Sequence, residues 1–278
     1  MKIIKWVDIL LYSNIFISLC ASAITIETYL LIHSEINWLY AGFIFSSSIV
    51  LYNYPGLFLS GSEQHSARQR WILANRKLIW LISIPALIAT GVLIFFFPLK
   101  LILWFAPVAV LSFAYFLPVT NLRAIPIVKA VVVALVWTCI TYYFPLLLSS
   151  NSLPDWVGWG GALRFFFFLS LAIAFNIRDV KVDRHSGIKT FPVIFGIQKT
   201  KIVCVFFLII CSVLAICTSH EEEIKFGLLL SATSTTILIL FASEKRSEYF
   251  YALWMDGMIL LQAIILLSVI FAGKFSLP

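Results

Sequence analysis

Asn176, Asp179 and Asp183 stand three and four residues apart in the segment 175–196, FNIRDVKVDRHSGIKTFPVIFG. Wound as a helix, they fall at i, i+3 and i+7, so two carboxylates and an amide share one face. Oxygen ligands in that pattern suit a hard divalent cation such as Mg²⁺. That ion keeps several waters and binds through one or two carboxylates plus substrate phosphate. Arg178, Lys181, Arg184 and Lys189 lie among them and supply the donors a diphosphate needs. A plainer reading is open at the same spacing: a solvated segment whose aspartates pair with neighbouring lysine and arginine and hold no ion. No Gly-rich phosphate loop, HExxH pair or CxxC pair is present. The five cysteines all fall in apolar stretches and read as small buried hydrophobes.

The elements that position this chemistry follow from composition. Of 278 residues, 62% are hydrophobic and 12% charged, with a mean hydropathy of +1.01. Soluble domains carry about 25% charge, and no water-soluble core hides this much apolar surface behind so few polar groups. An integral membrane protein is expected. Apolar windows of about 17–25 residues occur at 9–32, 39–60, 78–97, 101–117, 127–148, 158–177, 201–218, 225–242 and 250–272. Spanning segments satisfy their backbone internally, and these continuous runs lack the alternation of barrel strands, so the fold class is all-α: one membrane bundle of about nine helices over residues 1–278. With the N-terminus inside, one side of the membrane holds 16 of the 20 lysines and arginines and the other holds Lys100, Arg164, Lys225 and Lys274. Topology therefore accounts for the net charge of +7 without nucleic acid as a partner. The two lysines at the N-terminus precede a run longer than a signal peptide, which is expected to be retained as the first span.

Residues 176–196 also resemble the second aspartate motif of the UbiA superfamily of intramembrane prenyltransferases, of the form N-x-R-D-x-x-x-D-R-x-x-G-x-x-T-x-x-V-x-x-G. Asn176, Arg178, Asp179, Asp183, Arg184, Gly187, Thr190 and Gly196 occupy its fixed positions. Residues 115–137 are similar to the family's turn into helix five, with Arg123 and Lys129 at its basic positions. The resemblance implies nine helices with two cytoplasmic motif loops, after helices two and six. It further implies Mg²⁺ held by Asp179, Asp183 and Asn176, and the diphosphate of a polyprenyl donor gripped by Arg68, Lys129, Arg178 and Lys189. The acceptor is then a small, often aromatic molecule, with Asn14 of the first span in its pocket, and the site lies in a cytoplasmic (inner) membrane, with a bacterial source expected.

The chain departs from the family at the first motif, N-D-x-x-D-x-x-x-D. Taking Asn53 as the motif asparagine, the aspartate positions hold Tyr54, Leu57 and Gly61, and no aspartate occurs between Asp8 and Asp155. Glu63 is the nearby carboxylate. Three outcomes follow: one Mg²⁺ on Asp179 and Asp183 with Arg68, Arg70 and Lys129 replacing the lost charge; Glu63 as a substitute ligand; or a non-catalytic homologue that binds an isoprenoid lipid or quinone. Glu27 and Asp256 lie inside spans, where ionisable groups are costly; both are expected to be interfacial or paired. His65 and His185 read as loop residues, and the run Phe165 to Phe168 as lipid-facing or tunnel-lining.

Overall fold

The computed structural model describes residues 2–58, 67–116, 126–149, 157–185, 187–218 and 221–275. Every regular element among them is helical. The expected first span is broken in two, α1 (Lys2–Tyr12) and α2 (Ile15–Leu31), which meet at 62°. Asn14 makes the break. It sits in the left-handed region at φ 63, ψ 14, a conformation asparagine tolerates better than most residues. Its carbonyl restarts the helix by accepting from the Ser18 amide at 3.2 Å.

The rest of the chain forms α3 (Trp38–Leu57), α4 (Ala67–Ala74), α5 (Arg76–Leu93), α6 (Leu99–Phe116), α7 (Pro126–Thr138), α8 (Phe144–Leu148), α9 (Val157–His185), α10 (Phe191–Phe195), α11 (Ile197–Thr218), α12 (Glu222–Leu240) and α13 (Asp256–Phe275). Among the described residues, six helices are long and apolar enough to cross a bilayer, seven when the bent pair counts as one span. The segments expected at 39–60 and 101–117 are also helical, as α3 and α6, but α3 falls short of that hydropathy and the stretch Leu99–Ala114 of α6 of that length. Serines, tyrosines and Asn53 dilute α3, and α6 is short.

α11 shows how such helices sort their faces. Ile202, Phe206, Ile209, Val213 and Ile216 form an exposed stripe, while Cys204, Leu208, Cys211 and Ala215 on the other side are buried. A helix apolar all round, with one apolar face left outside, belongs in lipid. α9 packs between α7 and α11, α2 between α3 and α13, and α12 joins α11 to α13. Three of the five cysteines are buried as small hydrophobes, Cys20, Cys204 and Cys211, whereas Cys217 is exposed at the end of α11.

Two π-helical turns interrupt the bundle, at Cys139–Tyr143 between α7 and α8 and at Phe250–Met255 before α13. The first re-aims carbonyls that a regular helix would use internally. The Tyr40 hydroxyl donates to the Ile140 carbonyl at 2.6 Å and the Thr28 hydroxyl to the Thr141 carbonyl at 2.7 Å, tying α3 and α2 to this turn.

One expectation is corrected here. Arg164, counted with the charges of the outer side, lies inside the bundle. It is 2% exposed within the bundle, with its Nη1 2.9 Å from Oε2 of Glu27. Glu27 is its buried partner, the paired alternative of the two expected for it, because a charge inside an apolar bundle must find its counter-ion there.

Candidate active site

α9 runs for 29 residues, two turns beyond the expected end of its span, so Asn176, Asp179 and Asp183 are helical and share a face as the spacing predicts. Its end is built by the residues that follow. Gly187 adopts φ +70, which L side chains avoid, and lets the Ile188 amide donate back to the Asp183 carbonyl at 2.8 Å. The chain then turns so that the Thr190 hydroxyl donates to Oδ2 of Asp183 at 3.1 Å. Gly196, at φ +82, makes the turn from α10 into α11. The fixed glycines and threonine of the segment thus hold one carboxylate in place.

Asp183 is buried, whereas Asp179 is 32% exposed and accepts two hydrogen bonds from Arg178, at 2.8 Å from Nε and 3.2 Å from Nη2. The Arg178 guanidinium also lies over the rings of Phe175 and Tyr251 and 3.8 Å from Glu248. Asn176 is 1% exposed, and neither Oδ1 nor Nδ2 of its side chain has a hydrogen-bond partner among the described residues. An orphaned buried amide costs free energy. Set on the same face as two carboxylates, its oxygen fits as the third donor to a hard cation. No group of three or more His, Cys, Asp or Glu gathers at a metal spacing among the described residues. An ion held here would be completed by water and phosphate oxygens, as Mg²⁺ commonly is.

The first-motif position holds an amide and hydroxyl network instead of carboxylates. Asn14 Nδ2 donates to Asn53 Oδ1 at 2.8 Å and to the Tyr52 carbonyl at 3.2 Å, and Asn53 Nδ2 donates to Ser83 at 3.1 Å. Arg68, from α4, reaches in and donates to Oδ1 of Asn14. Burial, and then the neighbouring Arg178 guanidinium, lower the pKa of Arg68 from its ordinary value. Two guanidiniums therefore converge beside the α9 carboxylates. Lys129 lies half-buried in the first turns of α7 and Lys189 is exposed in the turn before α10. Glu63, His65 and Arg123 lie outside the described residues. His185 is exposed at the end of α9, and Phe167 and Phe168 are packed in the core.

Three residues of the site were not assigned to it from sequence. Glu248 and Tyr251 come from the stretch before α13, and Asp256 opens that helix within electrostatic reach of both Arg68 and Arg178. An acid inside a span was the available signal for Asp256. Nothing local marks Glu248, which reaches the site only because the π-helical turn that follows it packs beside α9.

Comparison with known proteins gives the same architecture. The model of the UbiA prenyltransferase family matches residues 72–249. Among solved structures, a UbiA homologue from Archaeoglobus fulgidus bound to GPP and Mg²⁺ is 14% identical, with a TM-score of 0.65 over 95% of this chain and 99% of that one. The apo UbiA homologue from Aeropyrum pernix K1 is 12% identical, with a TM-score of 0.63 over 94% and 98%. A structure of digeranylgeranylglyceryl phosphate synthase is 14% identical, with a TM-score of 0.59 over the whole of both chains. No curated protein sequence matches the chain significantly. The family match extends from α4 through the aspartate face of α9 to Tyr249 beside Glu248, and the chain belongs to the UbiA prenyltransferase family.

Proposed function

We propose that the protein transfers a polyprenyl group from its diphosphate to a small, aromatic acceptor at the cytoplasmic end of the bundle. One Mg²⁺ is held by Asp179, Asp183 and Asn176, and arginine takes the place of the missing first aspartate motif. The observation that carries this reading is the unpartnered Asn176 amide, 1% exposed and on one helical face with Asp179 and Asp183. The GPP and Mg²⁺ bound to the Archaeoglobus homologue are in keeping with it.

When bound, Mg²⁺ supplies positive charge to the departing diphosphate. The chain's own residues do the remaining work. Arg68 and Arg178 present planar, charged donors that suit phosphate oxygens. Arg178 is steadied for that role by Glu248 and by the faces of Phe175 and Tyr251. The allylic C–O bond breaks with its electron pair leaving on the diphosphate, the acceptor carbon bonds to the prenyl C1, and the acceptor then sheds a proton. Fixed charges stabilise the separating charges without having to reorganise.

A second reading, a non-catalytic homologue that binds an isoprenoid lipid or quinone, draws on one observation. Asn53 is fully engaged by Asn14 and Ser83, and no carboxylate follows it in α3. The deciding experiment measures binding of labelled geranylgeranyl diphosphate to purified protein with and without Mg²⁺, together with diphosphate release on addition of candidate aromatic acceptors. Wild type is compared with the Asp179→Asn/Asp183→Asn variant. Mg²⁺-dependent binding that the double substitution abolishes, with release of diphosphate, is expected. Equal binding of the corresponding alcohol and no effect of Mg²⁺ would favour the lipid-binding homologue.

A further inference from the structure

One carboxylate near the two arginines has no partner. Asp256 stands inside the span that begins at Phe250, directly after the π-helical turn Phe250–Met255. Such turns gather at functional sites. The other carboxylates of this region are engaged. Asp179 accepts twice from Arg178, Asp183 accepts from Thr190, Glu248 lies 3.8 Å from Arg178, and Asp8 accepts from the Tyr249 hydroxyl. Among the described residues Asp256 has no hydrogen bond and no ion pair, and Arg68 and Arg178 act on it only through the longer reach of their charge. It also keeps part of its surface exposed, as do Arg68, Arg178 and Asp179. An ionisable group inside a span is costly unless it is paired or serves a ligand.

Its neighbours give its depth. A Cβ on Gly257 would lie 3.7 Å from the Phe16 ring, and Cys20 is within electrostatic reach of Asp256. Phe16 and Cys20 follow Asn14 along α2, about 3 and 9 Å deeper than the residue that Arg68 bonds. Asp256 therefore lies on the interior side of the arginines, beside the partly exposed Phe16 ring. A diphosphate drawn to Arg68 and Arg178 is repelled by this carboxylate. What rests against Asp256 is then the uncharged partner in the reaction. A carboxylate without donors calls for a partner that brings its own O–H.

We infer that Asp256 is the proton acceptor of the transfer and that the molecule it serves is a hydroxyarene whose O–H donates to it. The inference rests on the prenyl-transfer reading above and names its acceptor class. As the allylic C–O bond breaks with its electron pair on the diphosphate, a ring π pair bonds to the prenyl C1. The hydroxyl proton passes to Asp256, which leaves a neutral dienone in place of a cation. Transfer of the ring proton to the oxygen restores the arene, and Asp256 gives its proton to water. Removing the charge as it forms is general-base catalysis, worth ~10²–10⁴-fold. The Phe16 ring offers the arene a face or edge to pack on.

The test uses the full-length protein in nanodiscs with Mg²⁺ and labelled geranylgeranyl diphosphate. The acceptors are 1-naphthol and hydroquinone, each beside its fully methylated ether. Asp256→Asn keeps the shape and removes the base. This variant is expected to bind the donor at least as tightly as wild type, since a negative charge near the diphosphate has gone, and that binding reports a folded site. Its prenylation of the hydroxyarenes should fall about 10²-fold or more, in kcat more than in KM, and Asp256→Glu should recover part of the loss. The ethers should be poor acceptors for wild type and equally poor for Asp256→Asn. Hydroxyarenes turned over no faster than their ethers by the wild type, or as fast by Asp256→Asn as by wild type, overturn the role of Asp256 and leave donor binding standing. Absence of Mg²⁺-dependent donor binding in the wild type overturns both the role and the transfer reading.

Discussion

The side chain of Asn176 is costly where it stands. A buried amide without partners destabilises the fold by about 1–3 kcal/mol, so its retention at this depth points to a ligand. Replacement by leucine, of similar volume, is expected to leave the thermal midpoint at or above that of wild type, with a gain on the order of 1 kcal/mol. At the same time Mg²⁺ affinity, read by Mn²⁺ binding in electron paramagnetic resonance, should fall. A lower midpoint with unchanged metal binding would show that the amide serves packing alone. Arg68 makes the complementary prediction. It brings a guanidinium to the position from which the first-motif carboxylates are missing. Arg68→Ala is expected to weaken prenyl diphosphate binding about 10- to 100-fold, the worth of a charge-assisted hydrogen bond. Mn²⁺ binding in the absence of diphosphate should change little, and Arg68→Lys should recover part of the loss.

Helices carry these residues to one place through a few polar fastenings. The strongest is Glu27–Arg164, which joins α2 to α9 and, through Gln262 and Ser231, reaches α13 and α12. Breaking a buried pair by removing one partner strands the other charge. Arg164→Leu alone is therefore expected to cost about 3–5 kcal/mol, while the double replacement with Glu27→Leu restores much of it. Thermal unfolding in detergent, followed by the fraction of monodisperse protein, checks this ordering. A double variant as unstable as the single would mean that shape rather than charge fixes the contact. A second fastening is steric. A Cβ at Gly161 in α9 would clash with the Tyr143 hydroxyl, so Gly161→Ala has to displace that ring. The variant should be destabilised, and Tyr143→Ala should relieve it.

For the whole molecule, the excess of lysine and arginine on one side predicts a cytoplasmic N-terminus and the second aspartate motif on the same face. Cys217, exposed at the end of α11, then lies at the opposite surface, whereas Cys20, Cys204 and Cys211 are buried. A membrane-impermeant thiol reagent added outside intact cells is expected to label the protein, and Cys217→Ser to abolish the labelling. Labelling only after the membrane is opened would reverse the orientation. On the expected orientation the proposed diphosphate site faces the cytoplasm.

Much of this was local enough to be written in one dimension. Hydropathy marks the helical stretches because a bilayer demands apolar length from each segment separately. The spacing of Asn176, Asp179 and Asp183 fixes their common face because a single helix sets it, and Gly187, Thr190 and Gly196 complete that motif within a few residues. What the sequence left open lies in contacts between distant segments. Asn14 meets Asn53 across 39 residues and Arg68 across 54. Glu27 meets Arg164 across 137 residues and Gln262 across 235. Hydropathy gives no information on which faces of two helices oppose each other, so Arg164 counts there only as a charge of the outer side and Glu248 as part of a connection. Only the tertiary structure decided that Arg164 pairs with Glu27 inside the bundle, that Arg68 bonds Asn14 beside the altered first motif and that Glu248 and Asp256 lie near the arginines. A side chain's counter-ion is set by its neighbours in space.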